Sequence, residues 1–298
     1  MLLTVPAERL AAVQARALPE LSDALERGQI VHFPACPVAL PDEGDLDFLR
    51  GLGALLQRKN VSYYPDGGRL VGVADPAVKE RARRILSAHA ANVRAFLSAA
   101  MKDFFRGARS GTTSFRPLQE KGRKLSAHAS NELIHVDAGA YGATHGDRIL
   151  RFFVNANPTA DRVWASKGTF RDLVARFGDE AGLKRGAPTP TVFGRALSGA
   201  IGLASKAVPA LKMVDTSEYD RRMRRFHNFM KDTESFTSSR EGQVELRFGP
   251  LSSWMVLTDS VSHACLEGQH AFVDTFVVPL ANCRLREHAP FDVLAARG

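Results

Sequence analysis

The stretch 148-RILRFFVNANP-158 decides the fold class. It is rich in Ile, Leu, Phe and Val and closes at Asn157-Pro158, so it reads as a strand. Three further stretches read the same way: 243-QVELRF-248, 253-SWMVLTD-259 and 271-AFVDTFVVP-279, each bounded by Pro, Gly, Asp or Ser. Helical stretches lie between them near 169–177 and 217–232. Strands at irregular spacing with helical insertions predict a jelly roll rather than a parallel α/β sheet.

Working outward, the first third reads mainly helical. Residues 7–27 carry two short amphipathic segments broken at Pro19 and stopped at Gly28, and 29-QIVHFPAC-36 looks like one strand. Asp75-Pro76 offers an N-cap followed by proline at the first helical position. The apolar stripe Val78, Ala82, Ile85, His89, Val93, Phe96 then keeps helical spacing. The chain of 298 residues is expected to form one domain. Residues 1–110 would give helical support, and 111–285 a jelly-roll core with a helical insertion at 160–240.

Hydrophobic residues make up 45% and charged residues 24%, ordinary for a globular protein, and no apolar run is long enough to span a bilayer. The apolar start meets Glu8 and Arg9 at once, unlike a secretory signal. Three cysteines without motif spacing suit a reducing, cytoplasmic compartment. The net charge of +8 calls for an anionic partner or surface. No nucleic-acid motif accompanies it, so no nucleic acid is expected.

In 131-NELIHVDAGAY-141, His135 and Asp137 are separated by one residue. At a strand end, residues i and i+2 point to one face, so imidazole and carboxylate converge. A mononuclear iron(II) site needs one more histidine, and His263, between 253-SWMVLTD-259 and 271-AFVDTFVVP-279, is the best candidate. The competing reading makes His135 a solvated loop residue and Asp137 a turn former.

Several stretches recur together in order: 113-TSFRP-117, 135-HVDA-138, 144-THGDRILRFFVNANPT-159, 217-SEYDRRMRRFHNFMKD-232 and 252-SSWMVLTDSVSHACLEGQ-269. In these the chain resembles the Kdo hydroxylases, iron(II)- and 2-oxoglutarate-dependent dioxygenases of Gram-negative bacteria. The resemblance implies an α+β fold with a double-stranded β-helix (jelly-roll, cupin-like) core flanked by helices. It implies that His135, Asp137 and His263 hold Fe(II), with 2-oxoglutarate and O2 as cosubstrates. It also implies hydroxylation at carbon 3 of 3-deoxy-D-manno-octulosonic acid (Kdo) attached to lipid A. Two alternatives stand beside it: another anionic sugar, lipid or small metabolite as acceptor, or a non-catalytic cupin-like module for anionic surfaces.

The far carboxylate of 2-oxoglutarate needs a buried cation, which a planar guanidinium suits. No Arg or Lys follows His263 until Arg284, so the candidates are Arg151 and Arg148, with Asn155 as a hydrogen-bonding neighbour. Arg116, Arg123 and Lys124 are candidates to line a mouth for an acidic acceptor. The cations of 217–232 read as a solvated helix face, and His227 as structural. Residues 183–214 hold five basic and no acidic residues among many small ones. Within them, 191–212 is a candidate for lying on the anionic inner-membrane surface, making the protein peripheral there.

Overall fold

The computed structural model describes residues 1–9, 18–139, 142–186 and 217–297. The cationic segment 191–212 lies outside the described residues. Eleven strands are described: β1 (Leu2–Thr4), β2 (Ile30–Phe33), β3 (Val61–Tyr64), β4 (Arg69–Val71), β5 (Arg109–Arg116), β6 (Arg148–Asn155), β7 (Arg162–Ser166), β8 (Val244–Phe248), β9 (Ser253–Leu257), β10 (Ala264–Glu267) and β11 (Ala271–Val278). Eight of them form a large sheet in the order β1-β2-β9-β6-β11-β5-β3-β4, and three form a small sheet in the order β10-β7-β8. Only the β1–β2 pairing is parallel. This is the expected α+β jelly roll, a large and a small sheet facing one another with helices outside.

Side-chain parity on β6 explains the layering. Leu150, Phe152 and Val154 join the core beneath α3 (Pro76–Ala100), whose Ala82, Ile85, Leu86, Val93 and Phe96 cover that face of the large sheet. Phe153 points the other way, into the space between the sheets. There its ring stacks on Trp254 at 5.1 Å, and Trp254 stacks on Phe248 at 3.9 Å. Trp164 stands edge-on to Phe153 at 4.8 Å. This aromatic plug closes the interior to one side of the cavity described below. α3 starts as expected, with Asp75 Oδ1 accepting from the Val78 N–H at 2.9 Å and Pro76 in the first turn.

Two helices carry the site-bearing segment. α4 (Phe170–Phe177) and α5 (Glu218–Asp232) pack together through Phe170, Leu173, Met223 and Phe226. α5 opens with a capping box between Ser217 and Asp220. The Asp220 carboxylate also accepts from the Thr144 N–H at 2.8 Å, tying the loop before β6 to the start of α5.

Beside the helices α1 (Pro19–Glu26), α2 (Glu43–Arg50) and α3, the described residues of the N-terminal third supply β1 to β4 to the large sheet. Pro19 stands in the first turn of α1, and Gly28 follows its end at φ 76° with no room for a Cβ, which would meet Thr169 Cγ2 at 2.6 Å. The 160–240 stretch contains β7, which pairs with both β8 and β10 and is the centre of the small sheet. These strands are only three to five residues long, too short for a period-2 pattern to stand out.

Arg148 and Asn155 are removed from the cosubstrate role by their contacts. The Arg148 side chain is buried away from the cavity, donating to Asp259 Oδ2 at 2.7 Å and to Ser260 Oγ. Asn155 Nδ2 donates to the carbonyls of Ala160, Phe248 and Gly249, fastening the β6 end to two loops. Breaking one side of a buried ion pair leaves the other charge uncompensated. Arg148→Met is therefore expected to lower unfolding stability by about 3–5 kcal/mol in urea titration, with Arg148→Met/Asp259→Leu recovering part of the loss. An unchanged midpoint in the single variant would show that the pair is not holding β6 to the loop after β9.

Candidate metal centre

His135 and His263 face each other as an antiparallel backbone pair. The His135 N–H donates to His263 O at 3.1 Å, and the His263 N–H donates to His135 O at 2.8 Å. Residues exchanging both bonds in this way carry their side chains to the same face, and the two imidazole centroids lie 4.7 Å apart. Two residues on, the Asp137 N–H donates to Thr258 O at 2.8 Å, which keeps the extended path and returns the carboxylate to that face. One ligand atom from each of His135, Asp137 and His263 lies within 4.8 Å of the others, and all three residues are buried. The structure thus brings together the three residues that the sequence singled out.

Each imidazole has a fixed tautomer. His135 Nδ1 donates to Leu133 O at 2.8 Å and His263 Nδ1 to Val261 O at 2.9 Å. An imidazole whose Nδ1–H is held by a carbonyl presents Nε2 as its lone pair, the usual outer-shell arrangement behind a metal-binding histidine. Burial pushes His263 down to about 4, and burial and then His263 push His135 well below its ordinary value. Both rings are therefore neutral at neutral pH. Burial alone would raise Asp137, but Arg151 and the two histidines hold its carboxyl well below the usual range. Arg151 Nη2 lies 2.9 Å from Asp137 Oδ2, yet its N–H bonds miss that oxygen, which has no hydrogen-bond partner. Two free imidazole lone pairs and an ionised carboxylate with an orphaned oxygen suit a divalent transition metal. The donor set fits iron.

The three residues line a cavity of about 250 Å³. Arg151 and Arg116 line it too; the Nε–H of each has no hydrogen-bond partner. Trp164 stacks against His263 at 5.3 Å. Glu120, almost fully buried, approaches Arg116 at 3.4 Å, Arg162 at 3.5 Å and Arg123 at 3.7 Å. Burial would raise Glu120, but Arg116 and Arg162 hold it below its ordinary value. Arg123 is thus turned to Glu120 and the Lys59 carbonyl and is not part of the cavity lining, and Lys124 is exposed outside it. Of the three expected mouth residues, only Arg116 is in the cavity.

Lys59 and Trp164, which the sequence did not single out, line the cavity, and so do His227 and Lys231 of the 217–232 helix, which it read as structural and solvated. His227, expected from the sequence to be structural, makes two contacts at the site. Its Nδ1 donates to Val136 O at 2.7 Å, so α5 grips the residue between His135 and Asp137. Its ring stands edge-on to His135 at 5.1 Å. The only sequence signal was the i, i+4 spacing of His227 and Lys231 on one helix face.

A jelly roll with two imidazoles and one carboxylate converging between its sheets defines the class of mononuclear non-haem iron oxygenases. The comparisons with known proteins carry the assignment further. The 3-deoxy-D-manno-oct-2-ulosonic acid (Kdo) hydroxylase family model matches residues 10–297, and the chain belongs to that family. Solved structures of the Kdo hydroxylase KdoO, described as a non-haem Fe(II) α-ketoglutarate-dependent dioxygenase, are similar over nearly the whole chain. The complex with α-ketoglutarate and Fe(III) is 26% identical at a TM-score of 0.79, covering 98% of this chain and 94% of that one. The cobalt(II) complex is 27% identical at 0.79 with the same coverage, and the apo form 26% identical at 0.78. No curated protein matches the chain.

The depressed imidazole values set the pH response of metal loading. Between pH 6.5 and about 4 His263 stays unprotonated, where an ordinary histidine would charge and repel the metal. Cobalt(II) affinity is expected to fall by less than about tenfold from about pH 7 to about pH 5.5. A loss of about tenfold for each histidine would show that both titrate near the ordinary value.

Proposed function

We propose that the protein is an iron(II)- and 2-oxoglutarate-dependent dioxygenase that hydroxylates carbon 3 of Kdo in Kdo-lipid A. The observation that carries the reading is the convergence of His135, Asp137 and His263 on one cavity in a member of the Kdo hydroxylase family. His135 and His263 would hold Fe(II) through Nε2, and Asp137 through its carboxylate. With 2-oxoglutarate and O2, the bound metal would supply the oxidising power: the cosubstrate goes to succinate and CO2 and one oxygen atom enters the acceptor C–H bond.

The remaining work belongs to this chain's own groups. Leu133 O and Val261 O keep the two imidazoles in the ligating tautomer. Arg151 and Arg116 are the cavity's guanidinium groups with unspent N–H bonds, and we assign them the cosubstrate's far carboxylate. Arg151 also stands against Asp137, so it steadies the carboxylate that the metal needs. Phe153 and Trp164 give the same side of the cavity dry walls, which strengthen these charge contacts.

An acceptor anchored in a bilayer asks for contact with its surface. No described helix is long and apolar enough to cross a membrane. The composition of 183–214 supports a peripheral association with the cytoplasmic face of the inner membrane, through 191–212.

The test is turnover of Kdo-lipid A followed by mass spectrometry. One added oxygen atom on Kdo, dependent on Fe(II), 2-oxoglutarate and O2 and lost in Asp137→Ala, is the expected result. Arg151→Met should raise the KM for 2-oxoglutarate by about tenfold or more. Consumption of 2-oxoglutarate with no oxygen in Kdo would move the acceptor to another anionic sugar, lipid or small metabolite.

A further inference from the structure

Lys231, on α5, is a charge with only 5% of its surface exposed. Its Nζ donates to two backbone carbonyls, His128 O at 3.1 Å and Ser130 O at 2.9 Å. Lys59 grips the same segment, donating to Ala129 O at 2.6 Å and to Asn131 Oδ1 at 3.0 Å. An ammonium has three N–H donors, so each lysine keeps one in reserve. Both line the cavity.

The carboxylates nearby are committed elsewhere. Asp137 faces Arg151, Glu120 is shared among Arg116, Arg123 and Arg162, and Asp232 pairs with His128 at 2.8 Å. Among the described residues neither Lys59 nor Lys231 has a carboxylate partner. Burial pushes Lys231 below its ordinary value and, with Arg116 next in weight, brings Lys59 to about 8. Buried charges are normally paired. Lys231, buried, and Lys59, partly buried, both left without an anion in the cavity lining, point to an anion that arrives from outside.

Resting on the acceptor assignment above, we propose that Lys59 and Lys231 form the subsite that recognises the carboxylate of a sugar-acid acceptor. The position of Lys231 separates the subsite from Arg151, while Lys59 lies near Arg116 and borders the cosubstrate side. Arg151 meets the triad at Asp137, whereas Lys231 lies one turn along α5 from His227, which meets it at His135. The segment held by the lysines includes His128, whose side chain is 53% exposed, so this wall reaches the surface. A sugar carried on a large glycolipid must enter from such a side, while a small dicarboxylate fits deeper.

The probes are the methyl glycoside of Kdo and the neutral methyl ester of that glycoside, titrated calorimetrically into the full chain. The wild type should prefer the acid by about tenfold or more, as expected for a charge-assisted contact. Lys231→Met and Lys59→Met should each remove most of that preference, and Lys231→Arg should keep it. A wild type indifferent to the charge, or a preference retained in both Met variants, overturns the subsite. Hydroxylated product from a wild type whose preference survives both substitutions sinks the subsite alone. A preference lost in both variants, with no product from the wild type, sinks the hydroxylase reading alone.

Discussion

Two backbone hydrogen bonds between His135 and His263 are the constraint on which the rest of the site depends. They join the segment before β6 to the start of β10, and so bring two distant parts of the sequence to one spot. Their geometry sends both imidazoles to the same side. Asp137 then follows by strand parity, held by Thr258 O. A slip of one residue in this pairing would turn the rings away from each other.

α5 holds that arrangement from outside the sheets. Asp220 takes the Thr144 N–H, His227 takes Val136 O, and Lys231 takes the carbonyls of His128 and Ser130. One helix thus grips the site-bearing segment at three levels, with spacing of roughly two turns and then one. Its apolar face, with Met223 and Phe226, packs on α4. The cavity therefore has one side made by rigid sheet and one made by a helix bound through polar contacts. The proposed cosubstrate cations sit on the first and Lys231 on the second, while Lys59, just before β3, reaches to the 128–131 segment that Lys231 also holds.

Much of this could be read from residues alone, within physical limits. The apolar runs of β6, β9 and β11 and the capped helix α3 announce themselves because burial on both faces of a strand, or on one face of a helix, leaves a trace in the sequence. The short strands β3, β4 and β7 leave none, and their place in a sheet comes from neighbours supplied by distant sequence. At the site, the His-x-Asp spacing states a shared face, but the nearness of His263 is a property of the backbone pairing. Arg148 and Arg151 have opposite strand parity; which of them looks inward was set by the sheets, and Arg148 went to Asp259. Lys231 resembled a solvated helix charge because its partners are backbone carbonyls, which have no sequence signature.

The most direct test of the account is an anaerobic Fe(II) titration with 2-oxoglutarate, watching for the visible charge-transfer band of the iron–cosubstrate chelate. The account predicts a band in the wild type and none in His135→Ala or His263→Ala. A folded, reduced wild type without the band, or either variant retaining it at full strength, would contradict it.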